Sequence, residues 1–110
     1  MDGQTRDRLT NRANVFKALA HPSRLYMVEE LANGAKCVCE LTALVGADVS
    51  TVSKHLSVLK NAGIVRDEKR GTQVWYELRM PCVLSFFQCI ENAITSRAEW
   101  QLELERDSLS

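Results

Sequence analysis

The sequence predicts a mainly α-helical domain carrying a β-hairpin wing, with elements in the order α-α-α-α-β-β-α: a winged helix-turn-helix, expected to be dimeric. Three observations predict it. Apolar residues recur at helical spacing through most of the chain. Two of the helical segments are short and flank a glycine-containing turn, as in a helix-turn-helix. A stretch that alternates with period two then interrupts the helical pattern before it resumes.

The elements follow in order. Leu9, Ala13, Phe16 and Ala20 give a first helix over about 5–20. His21-Pro22 breaks it, because proline is tolerated in a first helical turn and disfavours helix in the residue before it. His21 is expected to cap the next helix. That second helix runs to about Asn33, with Leu25, Val28 and Leu31 inward, and Asn33-Gly34 stops it. The helix-turn-helix covers about 39–62: a third helix from Cys39 to Val45, ended by Gly46, then a fourth closed by Gly63. Ser50 is expected as the N-cap of the fourth, and Val52, Leu56 and Leu59 form its buried stripe. The wing covers about 64–79: Val74, Tyr76 and Leu78 alternate with Gln73, Trp75 and Glu77, and Arg70-Gly71-Thr72 makes the turn. Pro81 opens a last helix over about 81–104. Its stripe of Val83, Phe86, Phe87, Ile90 and Ile94 is too apolar to leave in water, so the first and last helices are expected to form a dimer interface.

The 110 residues read as one domain, 1–110. Hydrophobic residues at 45% and charged residues at 25% are ordinary globular values. No apolar run approaches the roughly 18 residues of a membrane span. The polar start MDGQTRDRLTNR lacks a signal-peptide core, so a cytoplasmic protein with no membrane partner is expected. In that compartment the four cysteines are expected to be mostly reduced, which favours metal or redox chemistry over structural disulfides.

The net charge is zero but unevenly spread. Residues 1–49 carry six basic and six acidic side chains, 50–79 carry six and three, and 80–110 carry two and five. The positive excess thus gathers around the fourth helix and the wing. Setting aside the buried stripe, the fourth helix presents Ser50, Thr51, Ser53, Lys54, His55 and Ser57. Small hydroxyls can approach base edges and phosphates in a major groove about 12 Å wide, and Lys54 can neutralise phosphate. Lys69 and Arg70 at the hairpin tip would reach the flanking backbone. Expected DNA contacts are therefore Ser50, Thr51, Ser53, Lys54, His55, Lys69 and Arg70. The bland alternative for His55 is a ring packed at the helix edge.

The stretches VFKALAHPSRLYMVEEL, CVCELT, VSTVSKHLSVLKNAGIV and KRGTQVWYELR, spanning about residues 13 to 95, resemble the ArsR/SmtB family of metal-sensing bacterial repressors. The resemblance implies a homodimer that binds operator DNA, represses its own operon, and leaves DNA when an inducer binds. CVCEL resembles the family's thiol metal box.

Cys37 and Cys39 are the expected metal ligands. Soft thiolates select soft or borderline ions, and a helix start, with Lys36 adjacent, favours the thiolate. Trivalent arsenic, As(III), is the expected inducer, with Sb(III), Cd(II) and Zn(II) as further candidates; no obligatory cofactor is expected. Two donors do not complete a site, since As(III) takes three thiolates and zinc or cadmium four donors. Where the resemblance implies a third cysteine this chain has Thr42, there is no cysteine before Cys37, and there is no histidine after His55 for an inter-helix zinc site. Cys82 and Cys89 are further candidate ligands. Seven residues apart, they are separated by about 10.5 Å of helical rise and cannot bridge each other; Cys89 also reads as a buried small hydrophobe. The alternative function is a redox or sulfur-species sensor, with Cys37 or Cys39 pairing with a last-helix cysteine. A DNA-binding or interaction module with incidental cysteines is the third reading. No phosphate-binding glycine loop or catalytic constellation points to an enzyme.

Overall fold

The computed structural model describes residues 1–109; Ser110, the end of the expected 1–110 domain, lies outside them. The elements are α1 (Gly3–Leu19), α2 (Pro22–Leu31), β1 (Lys36–Cys37), α3 (Val38–Val45), α4 (Val49–Asn61), β2 (Val65–Arg70), β3 (Gln73–Leu78) and α5 (Cys82–Leu109). The expected winged helix-turn-helix is present, with one addition. Two residues before α3, β1, join the hairpin as a third antiparallel strand, in sheet order β1-β3-β2. A two-residue strand has no periodicity to read, so the expected element order lacked it.

The chain divides into two compact units, Met1–Met80 and Pro81–Ser110. In the first, helices start where side chains can satisfy free N–H groups, and α3 and α4 stop at, or one residue before, a glycine with positive φ. His21 Nδ1 accepts from Ser23 N at 3.1 Å and caps α2, with Pro22 at its first position, as expected. Gly46 ends α3 at φ 74°, a conformation costly for any residue with a Cβ, and its N–H bonds Thr42 O. The core forms where α2, α3, α4 and the sheet meet: Met27, Val28, Leu41, Val52, Leu56, Leu59 and Ile64 have no solvent exposure. Each such large apolar side chain contributes about 1.5–3 kcal/mol by leaving water. The α4 stripe of Val52, Leu56 and Leu59 is thus the anchor that fixes which face of α4 remains outside.

Two local expectations are corrected. The cap of α4 is Asp48, not Ser50: Asp48 Oδ1 accepts from Thr51 N at 2.7 Å, and Ser50 lies inside the helix, donating its hydroxyl to the same Oδ1. The segment GADVS holds two residues able to cap, and the extended backbone at Asp48 (φ −77°, ψ 162°) selects the first. Of the residues that marked the first helix, Leu9, Ala13 and Phe16 and the C-cap Ala20 are exposed, which agrees with an interface helix, while Ala18 and Leu19 are buried. Helix α2 ends at Leu31, two residues early.

The second unit is one 28-residue helix, α5, about 42 Å long, which runs five residues past the expected end. Phe86, Ile90, Ile94, Trp100, Leu102 and Leu104 are exposed on it. No described helix is long and apolar enough to cross a membrane.

Candidate nucleic-acid interface and thiol site

The outer face of α4 carries the residues expected there. Ser50, Thr51, Ser53, Lys54 and Ser57 are exposed, as are Lys69 and Arg70 beside the wing turn. The turn is the two-residue loop Gly71–Thr72, with Gly71 at φ 64°. Sequence counting gave residues 50–79 a positive excess of three, and the structure shows which cations carry it. Lys60 pairs with Asp67 at 3.0 Å, Arg66 with Glu77, and Arg70 with Glu68 at 3.3 Å. Every acid of that segment is thereby matched. Lys54, Lys69 and Arg79 are left outside any ion pair among the described residues. Two of those three stand on the α4 face and the wing. Arg70 is held from a second side, its guanidinium lying 5.0 Å from the Trp75 ring centroid.

Asp48 is the one anionic group at the start of α4. Its carboxyl lies below the ordinary value of 3.8, first because the Thr51 N–H bonds it, then through the Thr51 and Ser50 side chains, with a smaller contribution from Lys54. A permanent carboxylate thus occupies the helix N-terminus, so phosphate contacts fall to the hydroxyls and Lys54 along the face.

His55 is placed differently from the other expected contacts. It is half-buried, with Nδ1 3.1 Å from Arg24 Nη1 and its ring centroid 4.4 Å from that of His21. Burial lowers its pKa from 6.5, and the neighbouring His21 and Arg24 lower it further. Arg24 also donates from Nε to Ala18 O at 2.6 Å. His55 therefore ties α4 to the start of α2 and, through Arg24, to the end of α1. This geometry favours the packed-ring reading over the expected phosphate contact. A cluster joining residues 31 apart leaves no local trace in sequence.

The thiol pair is placed by two elements at once. Cys37 is buried, its backbone pairs with Trp75 of β3, and it is also the N-cap of α3. Its Sγ accepts from Glu40 N at 3.4 Å and lies 3.4 Å from Glu40 Oε1. Cys39 is the second residue of α3 and is exposed. The two sulfurs are joined as a disulfide, with Cα atoms 5.4 Å apart. This differs from the mostly reduced thiols expected, and from the last-helix partner of the alternative redox reading. Cys82 and Cys89 are free and exposed, so Cys89 is not the buried small hydrophobe that its apolar neighbours suggested. Proximity explains the pairing, because a Cys-x-Cys turning from strand into helix brings its Cβ atoms together.

Around the pair lies an open cleft of about 320 Å³, lined by Cys37, Val38, Cys39, Val49, Thr72, Gln73 and Val74. It touches the first residue of α4 and the wing turn. Among the described residues no three His, Cys, Asp or Glu side chains converge as a metal site. Thr42, where the resemblance implied a third thiol, turns its hydroxyl onto Val38 O at 2.7 Å. The residues present therefore do not complete a three-thiolate or tetrahedral site within one chain.

Comparison with known proteins agrees with this architecture. The family model described as bacterial regulatory protein, arsR family, matches residues 21–67. An HTH-type transcriptional regulator of Methanocaldococcus jannaschii is 43% identical over 65 residues, 58% of this chain and 73% of the relative. The arsenical resistance operon repressor of Bacillus subtilis is 37% identical over 79 residues, 71% of this chain and 75% of the relative. Among solved structures, the homodimeric winged helix-turn-helix DNA-binding domain of a Mycobacterium bovis protein superposes with a TM-score of 0.78 at 27% identity, covering 90% of this chain and 92% of that one.

Proposed function

Because the chain belongs to the ArsR family of bacterial regulatory proteins, whose members bind DNA and are not enzymes, we propose that it is an operator-binding repressor released by a thiophilic inducer at Cys37 and Cys39. The observation that carries this reading is the double placement of Cys37. One residue caps the first helix of the helix-turn-helix and pairs with the wing strand. Any reagent that engages its sulfur competes for the cap of α3 and loads the strand behind the wing. As(III) is the first candidate inducer, supported by the CVCEL box and by the arsenical repressor of Bacillus subtilis; Sb(III), Cd(II) and Zn(II) follow. Cys82 and Cys89 are the candidate sources of further ligands.

DNA contact is assigned to Ser50, Thr51, Ser53 and Lys54 on α4 and to Lys69 and Arg70 on the wing, with His55 as a positioning residue. The exposed stripes of α1 and α5, including Phe16, Phe86, Ile90 and Ile94, support a homodimer in a cytoplasmic repressor, as does the homodimeric Mycobacterium bovis domain. A two-fold dimer reads a near-palindrome with half-sites about 34 Å apart or a multiple of that. Sedimentation at micromolar concentration checks this, and a stable monomer would contradict it.

The disulfide between Cys37 and Cys39 favours a second reading, in which the same pair senses oxidants or sulfur species. Titrating strictly reduced protein with arsenite, Cd(II) and Zn(II) while following operator binding separates the two. Release under reduction supports the thiophilic inducer. Release by oxidant only supports the redox sensor, and retention under every reagent removes both.

A further inference from the structure

We propose that Val49 is a specificity-determining residue of α4, taking the 5-methyl group of a thymine in the major groove of the operator. This rests on the DNA-binding reading of α4 and adds a contact made through carbon to the polar ones assigned above.

Val49 opens α4 and is 59% exposed, more than Leu44 at 41% or Val58 at 39% in the same helix-turn-helix. The helix does not need it as an anchor, because Val52, Leu56 and Leu59 are fully buried. A single exposed valine is ordinary on a protein surface; its position is what gives it a role. A recognition helix meets base edges with its N-terminal residues, and Val49 is the first of them. It precedes Ser53 by one helical turn and is therefore its neighbour on the helix surface. On its other side it shares a cleft with Thr72, Gln73 and Val74, which places it at the edge of α4 nearest the wing.

The polar groups beside it are drawn toward the cap. Ser50 donates its hydroxyl to Asp48 Oδ1 at 2.8 Å, Thr51 N donates to the same oxygen at 2.7 Å, and the Thr51 side chain also stabilises that carboxylate. A base edge must compete with Asp48 for the Ser50 donor. The Val49 methyl groups already stand in water, and contact with carbon only adds to them.

The chemistry of base reading points the same way. In the major groove guanine is read by Arg or Lys, adenine by Asn or Gln, cytosine by Asp or Glu, and the thymine methyl by apolar groups. From Val49 to His55 the helix has no Arg, Asn or Gln, and Asp48 is engaged as the cap. Lys54 supplies one cation. The chemistry left for choosing among bases is apolar, and Val49 is where the helix start exposes it. Burying one methyl group is worth about fourfold in affinity, and a two-fold dimer makes the contact in each half-site.

Reduced, inducer-free protein tests this on the duplex that it selects from a random-sequence DNA pool. Each thymine of one half-site, with its symmetry mate, is replaced by deoxyuridine, which keeps the base pair and the O4 acceptor and lacks only the 5-methyl group. At one such pair the parent should lose affinity at least about tenfold. Val49→Ala should bind the thymine duplex more weakly and hold the thymine and deoxyuridine duplexes within about twofold of each other. Should Val49→Ala not fold, Val49→Ser carries the same comparison. No loss at any thymine, or a parental ratio retained in the variant, would overturn the methyl contact and leave the DNA-binding reading standing. Selection of no preferred duplex would overturn both.

Discussion

The two helices of the helix-turn-helix begin in different ways. Helix α4 is capped by a carboxylate oxygen, Asp48 Oδ1, 2.7 Å from the Thr51 N–H and fully exposed. Helix α3 is capped by a buried sulfur, Cys37 Sγ, 3.4 Å from the Glu40 N–H. Oxygen is the strong, common cap; sulfur is a weak acceptor that metalloids and oxidants can take away. The reading helix is thus held by a group that soft reagents ignore, and its supporting helix by one that they seek. The difference teaches where a chemical signal can enter this fold without damaging the surface that reads DNA.

The largest effect should come from removing the sulfurs. Cys37→Ser and Cys39→Ser should bind operator as the parent does and ignore the inducer, because serine still caps α3 with oxygen. If the parent loses operator affinity a hundredfold, the variants abolish about 2.7 kcal/mol of coupling, read from operator affinity with and without arsenical. If both single variants still respond, α3 is not where the signal enters. On the α4 side, Lys54→Ala should weaken binding to every sequence and lower the slope of log affinity against log salt by about one. An unchanged slope with altered sequence preference would move Lys54 from phosphate to base contact.

Asp48→Ala should lower the thermal midpoint, because α4 loses its oxygen cap. The carboxyl titrates below 3.8 in the folded chain, so its stabilisation is present above that value and lost as pH falls through the lower folded value. The gap between parent and variant should therefore close only in strong acid. The smallest effect concerns His55, whose folded pKa lies below 6.5 because of burial and then His21 and Arg24. The unfolded chain takes up the proton first, so stability is lost as pH falls below 6.5 toward the folded value. His55→Asn should lose less stability than the parent between about pH 7.5 and about 5.5, in thermal unfolding curves. An equal loss in both proteins would detach the acid response from this ring.

Much of this arrangement was legible in the sequence. Val52, Leu56 and Leu59 repeat at helical spacing, Gly46 and Gly63 stop the two short helices, and proline at position 22 marks the start of α2, so the helix-turn-helix could be placed to within a few residues. The outward hydroxyls and Lys54 followed by subtraction. Contacts without a local signature were not legible. Strand β1 is too short to show a period, and its existence depends on partners at Trp75 and Tyr76. The choice of Asp48 over Ser50 rests on one backbone conformation. That His55 meets Arg24 and His21, more than thirty residues earlier, has no local signature. For Cys37, the residue type pointed to sulfur chemistry, but its double duty as strand and cap appeared only when the wing folded back beside it.

The central claim is that the inducer acts on the cap of α3 and spares the cap of α4. Amide exchange at Glu40 and Thr51, measured by NMR in reduced, operator-free protein before and after adding the arsenical that releases the operator, tests it directly. Exchange at Glu40, whose N–H bonds the Cys37 sulfur, should accelerate, while exchange at Thr51, whose N–H bonds Asp48, stays as it was. No change at Glu40, or an equal change at both amides, would contradict it.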